Sequence, residues 1–194
     1  MVKTYHPRLQ RDMIVIKPGE YYVTNRDEII ATVLGSCISV CLKDEANHVG
    51  GMNHFMLPGD FTLEDVLNNP SARYGMYAME LILGDMIKMG SDRRMLTAKV
   101  FGGGHVLHSV PRARNSVPQA NIQFVTSYLT MEGIPVTNSD VGGGYGRKVL
   151  FLPRSGKVLV KQLKSEVDRK LADRERRYQI HLEKELKQED LTLF

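Results

Sequence analysis

The chain has 194 residues, 42% hydrophobic and 25% charged, enough for one domain with a substantial core and too few for two ordinary ones. Its formal net charge of +4 is spread through mixed acid–base stretches such as "KSEVDRKLADRERRYQIHLEKELKQED" rather than gathered into a basic patch, which argues against a nucleic-acid partner. No run approaches the roughly 18 apolar residues of a membrane span, the opening "MVKTYHPRLQRDMIVIKPGE" lacks a signal-type apolar stretch, and two cysteines make no disulfide framework, so a cytoplasmic protein with free thiols and no membrane insertion is expected.

In chain order, "DMIVIKPGEYYVT" (12–24) reads as a strand, a Pro-Gly turn and a second extended piece. "EIIATVL" (28–34) is a β-branched strand broken by Gly35-Ser36 just before Cys37. "CISVCLKD" (37–44) fits a buried strand or a short helix equally, because periodicity does not separate them at this length. "HVGGMNHFMLP" (48–58) is expected to be another strand, ended by Pro58-Gly59. A helix is predicted over 70–90, with Ser71 as N-cap, Gly90 as stop, and Met79, Ile82, Leu83, Met86 and Met89 on one face. "LTAKVFGGGHVL" (96–107) is a strand running into a glycine turn, and 118–133 a second helix with Ile122, Val125 and Leu129 inward. Three late strands follow at 134–140, 147–153 and 157–163, the last two joined by "RSG". Residues 164–190 are helical by composition, but their thin apolar stripe (Val167, Leu171, Tyr178, Leu182, Leu186) predicts a helix that projects or packs lightly. The order of elements gives one mixed α/β domain over residues 1–163, with 164–194 as a charged helical extension.

Chemistry concentrates in "TVLGSCISVCLKD" (32–44) and "NHFMLP" (53–58). A thiolate is a nucleophile, but a free cysteine with pKa near ~8.5 is mostly protonated at neutral pH and needs a base. The Gly-Ser turn before Cys37 can expose both the sulfur and backbone N–H groups suited to stabilising an oxyanion. His54 lies beyond the turn "DEANHVGG" (44–51), so a hairpin can return it to Cys37, and Thr32 offers a hydroxyl or carbonyl to orient its ring.

The structural alternatives are concrete. Unpaired cysteines are among the most buried residues; Cys41, between Val40 and Leu42, reads as core, and His6, His105, His108 and His181 as surface or satisfied core residues. Cys37, Cys41, His48 and His54 supply four zinc-ligand types, but only six residues separate Cys41 from His48, a poor spacing for a finger, so no metal or cofactor is expected. "FGGGH" (101–105) and "GGGYGRK" (142–148) lack the P-loop order and read as tight turns or close backbone approaches. Arg147 and Lys148 read as solvated charge.

Together "TVLGSCISVCLKD", "GGMNHFMLP", "KVFGGG", "NSDVGGGYGRKVLF" and "SGKVLVKQL" resemble, from about Val15 to Leu163, the bacterial chemoreceptor glutamine deamidase family CheD. The resemblance implies a β-sandwich-like α/β core flanked by helices and a Cys-His-Thr arrangement in which Cys37 is the nucleophile, His54 the base and Thr32 the third member, with Ser36 or Asn53 as the alternatives to Thr32. It implies hydrolysis of a glutamine side-chain amide on a methyl-accepting chemotaxis receptor, possible methyl-ester hydrolysis by the same thioester route, and binding to a CheC-type response-regulator phosphatase. Against that family form, residues 1–14 and 164–194 are extra, and they are expected to be solvated extensions. Two competing readings are a largely non-catalytic module that docks on receptors and a phosphatase, and a general cysteine peptidase.

Overall fold

The computed structural model describes residues 1–57, 72–106, 116–163 and 165–189. Expectations for Ser71, Pro58-Gly59 and His108, and for the side chains of Val167 and Leu186, fall outside the described residues. The described chain forms strands β1 (Val2–His6), β2 (Arg11–Val15), β3 (Tyr21–Thr24), β4 (Ile29–Leu34), β5 (Ile38–Asp44), β6 (Val49–Asn53), β7 (Leu96–Gly102), β8 (Val136–Val141), β9 (Arg147–Leu152) and β10 (Lys157–Gln162). Its helices are α1 (Ala72–Lys88), α2 (Val117–Met131) and α3 (Ser165–Glu189).

The strands make two five-stranded sheets, ordered β1-β2-β4-β9-β10 and β3-β6-β5-β7-β8. One apolar cluster joins residues of both sheets, including Ile14, Ile30, Leu34, Met52, Phe101, Val149 and Phe151. A second lies between the β5 sheet and the helices, uniting Val40 and Leu42 with Met79, Ile82, Leu83 and Met86 of α1 and Phe124, Val125 and Leu129 of α2. This is a mixed α/β architecture in which the second sheet is covered on both faces.

That covering explains why "CISVCLKD" defeats periodicity. β5 is central, paired antiparallel to both β6 and β7, and all seven of its residues are buried. Ile38, Val40 and Leu42 belong to the helix-side cluster, whereas Cys37 and Cys41 belong to the inter-sheet cluster. A strand buried on both faces reads as a continuous apolar run. Alternation still sorts its side chains between two cores.

Three expectations meet further detail in the structure. The opening residues, expected as a solvated extension, are mostly exposed and form β1, which pairs antiparallel with β2 from Val2↔Val15 to His6↔Arg11. Met89 of the predicted α1 face is exposed, since the helix ends at Lys88. The third concerns α3: Leu171 and Leu182 are buried, and Leu182 joins the inter-sheet cluster with Tyr178 packed against it. Of a helix that projects or packs lightly, the second holds: a few residues of the thin stripe seat it on the sandwich.

Candidate active site

Leu34 ends a strand of one sheet and Ile38 begins a strand of the other, so residues 35–37 carry the chain across the rim of the sandwich. Such a crossing requires a sharp bend, which Gly35-Ser36 supplies. The bend is stitched from outside: Gly103 N–H donates to the Cys37 carbonyl at 2.8 Å and Gly104 N–H to the Gly35 carbonyl at 2.6 Å. Gly102, at φ 111°, lies so close to the Cys37 carbonyl that a Cβ there would collide with it. The "FGGGH" glycines therefore serve a close backbone approach, as expected.

His54 follows β6 directly. The reciprocal bonds Ile38 N–H to Phe55 O and Phe55 N–H to Ile38 O, both 2.9 Å, extend the β5–β6 pairing just far enough to bring His54 beside the Cys37 bend. The His54 backbone is pinned on its other edge, donating to Glu20 O at 2.9 Å and accepting from Gly19 N–H at 2.8 Å. Its ring is fully buried.

Thr32, buried on β4, lies with Oγ1 2.7 Å from His54 Nδ1. The same hydroxyl donates to the Ile16 carbonyl at 2.9 Å, and a carbonyl can only accept. A hydroxyl has one proton, so Oγ1 must accept from Nδ1–H. That fixes the neutral tautomer with its lone pair on Nε2, which has no protein hydrogen-bond partner among the described residues. Asn53 and Ser36 do not take this role. Asn53 Oδ1 accepts from Val40 N–H at 2.9 Å, and Ser36 Oγ donates to Glu175 at 2.8 Å.

Glu175 of α3, absent from the sequence expectations, completes the site. One carboxylate oxygen accepts from Gly35 N–H at 2.8 Å and lies 3.5 Å from Cys37 N; the other accepts from Ser36 N–H at 2.7 Å. The signal in the sequence is an acidic residue within the apolar stripe, four positions after Leu171 and three before Tyr178. Asn121 was also missed. Its Oδ1 accepts from Leu57 N–H at 2.8 Å and its Nδ2 donates to Ser36 O at 2.9 Å, clamping the His54 segment to the Cys37 bend. A buried asparagine inside an otherwise apolar helix stripe was its only trace.

Burial, then the Glu175 charge and its hydrogen bond, push the Cys37 thiol well above its ordinary range. Burial, helped by the Arg174 charge, pushes His54 down to about 3. Thiol and imidazole are therefore both neutral as they stand. Donor atoms of Cys37, His54 and Glu175 all lie within 4.8 Å of one another, a thiol–imidazole–carboxylate set of the kind that can hold a zinc-like cation. The four-ligand set weighed from sequence does not assemble: Cys41 is outside this group, and His48 is exposed in the turn at the far end of the β5–β6 hairpin.

Arg147 is no solvated cation. Fully buried, it donates to Asp140 at 2.7 Å and to the carbonyls of Gly142 and Tyr145, and lies 4.3 Å over the Tyr145 ring. It braces the "GGGYG" turn, whose Gly143 carbonyl receives His105 N–H from the loop that stitches Cys37.

The family model described as CheD chemotactic sensory transduction matches residues 56–162, beginning just after His54. Curated relatives extend further. A protein of Laribacter hongkongensis named as a probable chemoreceptor glutamine deamidase CheD is 47% identical over 86% of this chain and 80% of its own length. One of Herminiimonas arsenicoxydans with the same name is 46% identical over 98% of this chain and 93% of its own. Among solved structures, the hypothetical protein YfiH of Bacillus licheniformis superposes with a TM-score of 0.39 at 15% identity over 62% of this chain and 49% of its own, too remote a likeness to support an argument. On the breadth of the family match and the identity across nearly the whole chain, this protein belongs to the CheD family.

Proposed function

We propose that this chain is a cytoplasmic protein-glutamine deamidase that converts glutamine side chains of chemotaxis receptors to glutamate, with Cys37 as nucleophile, His54 as general base and acid, and Thr32 as the group that orients His54. The observation that carries the assignment is the tautomer set by Thr32, which leaves the lone pair of His54 on Nε2 in a ring that shares one buried cluster with the Cys37 sulfur. The printed names of relatives 41–48% identical supply the substrate.

Nε2 takes the thiol proton while sulfur bonds to the amide carbon, and the carbonyl oxygen becomes an oxyanion facing the N–H groups of residues 35–37. The C–N bond then breaks as the imidazolium returns its proton to the departing ammonia. Water, deprotonated by Nε2, cleaves the thioester, leaving a carboxylate and the thiol. A methyl ester would pass through the same thioester with methanol leaving. Docking to a CheC-type phosphatase is a further proposed association, and the proposed domain covers residues 1–163 with 164–194 as a C-terminal extension that contains α3. No described helix is long and apolar enough to cross a membrane, which suits a catalyst that meets receptors at their cytoplasmic portions.

Incubation with a receptor cytoplasmic fragment, followed by peptide mass spectrometry, tests the reading. Amide-to-acid conversion at particular glutamines with an uncut backbone is expected. Backbone cleavage would favour a peptidase, and binding without conversion would favour a docking module.

A further inference from the structure

α3 brings a glutamate to the one place where the reaction above would leave one. Glu175 is 3% exposed and, among the described residues, has no salt-bridge partner. Its carboxylate is satisfied instead by Gly35 N–H, Ser36 N–H and Ser36 Oγ–H at 2.7–2.8 Å, with Cys37 N at 3.5 Å. Consecutive backbone N–H groups in a bend make an anion cradle, and this cradle opens onto the Cys37 sulfur. The fit is close: a Cβ on Gly35 would come within 2.6 Å of the Glu175 carboxylate. Leu171 and Leu182 anchor the helix on either side of Glu175, and Arg174 ties it to the rim by donating to Val33 O at 3.1 Å. Beside α3 a cleft of about 330 Å³ is lined by His54, Phe55, Tyr74 and Tyr77 together with Tyr178 and Leu182, so α3 forms one wall of a cleft that reaches His54.

We propose that α3 is an internal product analogue: it lies in the cleft where the substrate docks, and the substrate is a helix that presents its glutamine from a similar apolar stripe and must displace α3 to be hydrolysed. This inference rests on the amide-hydrolysis reading above. The Glu175 side chain is chemically the product of that reaction, delivered by a helix, and it occupies the donors an amide oxygen would need. With the carboxylate present, the neighbouring thiol is held protonated by charge and hydrogen bond as well as by burial. Removal of α3 from its seat therefore both opens the cradle and makes the thiolate easier to form.

The test uses the full-length protein. Alkylation of Cys37 by iodoacetamide at neutral pH is followed by intact-mass spectrometry for wild type, Glu175→Ala and Leu182→Asp, with Cys37→Ala showing any labelling of Cys41. The first variant removes the carboxylate and the second unseats the helix at its core contact; circular dichroism checks that each folds, and whichever folds decides. At least tenfold faster labelling of Cys37 is expected. Labelling at the wild-type rate in a folded variant overturns the proposal. Deamidation of a helical receptor fragment is measured in parallel. Faster labelling with no deamidation by any form shows that α3 covers the thiol but removes the hydrolase reading, and with it the product-analogue role. Deamidation by wild type with unchanged labelling keeps the hydrolase reading and removes the α3 proposal.

Discussion

Thr32 governs the site through a single proton. Because its hydroxyl is committed to Ile16 O, it can only accept from His54, and the imidazole is left with its lone pair on Nε2. Thr32→Val keeps the shape and removes the acceptor, so turnover is expected to fall at least about tenfold. KM should be little changed, and Thr32→Ser should restore the rate; equal loss in both variants would indicate a packing role. His54 yields a pH prediction. Its folded pKa of about 3 lies below the unfolded value of about 6.5, so above the latter it is neutral in both states and contributes no pH dependence. As pH falls through the window between them, the unfolded chain binds a proton that the folded one refuses, and stability is lost at up to about 1.4 kcal/mol per pH unit. Urea unfolding at pH 7 and pH 5 should show wild type losing about 2 kcal/mol more than His54→Gln; parallel losses would place the titration elsewhere.

At the scale of elements, the site is where β4, β5, the segment after β6, α2 and α3 meet. Asn121 ties three of them, and Asn121→Ala strands Leu57 N–H and Ser36 O in a buried setting. A loss of about 2–4 kcal/mol in chemical denaturation is expected, each orphaned group costing about 1–3 kcal/mol. Most strands, α1 and α2 were legible because their signals are local, whereas residues 37–44 stayed open between strand and helix; the nearness of His54 to the Cys37 bend and to Thr32 could be anticipated because one hairpin joins their stretches. Glu175 was not. It reaches Gly35 across 140 positions of sequence, and its one local mark, a place on the apolar stripe of a highly charged helix, says nothing of its partner. The strand at residues 2–6 was missed for a related reason: it is mostly exposed, so its pairing to β2 leaves no apolar alternation to read.

Over the whole molecule, two sheets and a helical layer create a rim where loops from distant parts of the chain converge on residues 35–37. Arg147 is the brace of that rim, and sequence reading mistook it because a buried guanidinium is recognisable only from the carbonyls and carboxylate that surround it. Arg147→Met should cost about 2–4 kcal/mol in thermal or urea unfolding, below the full cost of breaking a buried pair because Asp140 retains access to water. The exposed Lys161→Ala should change stability by no more than about 0.5 kcal/mol. If both substitutions behave alike, the brace is not structural.

The most direct measurement is peptide mass spectrometry of a well-folded receptor cytoplasmic fragment after incubation with wild type or Cys37→Ala at equal concentration. Glutamine-to-glutamate conversion with wild type alone is predicted. Conversion by both proteins, or by neither on a fragment that a proven deamidase converts, would contradict the assignment of Cys37 as the nucleophile.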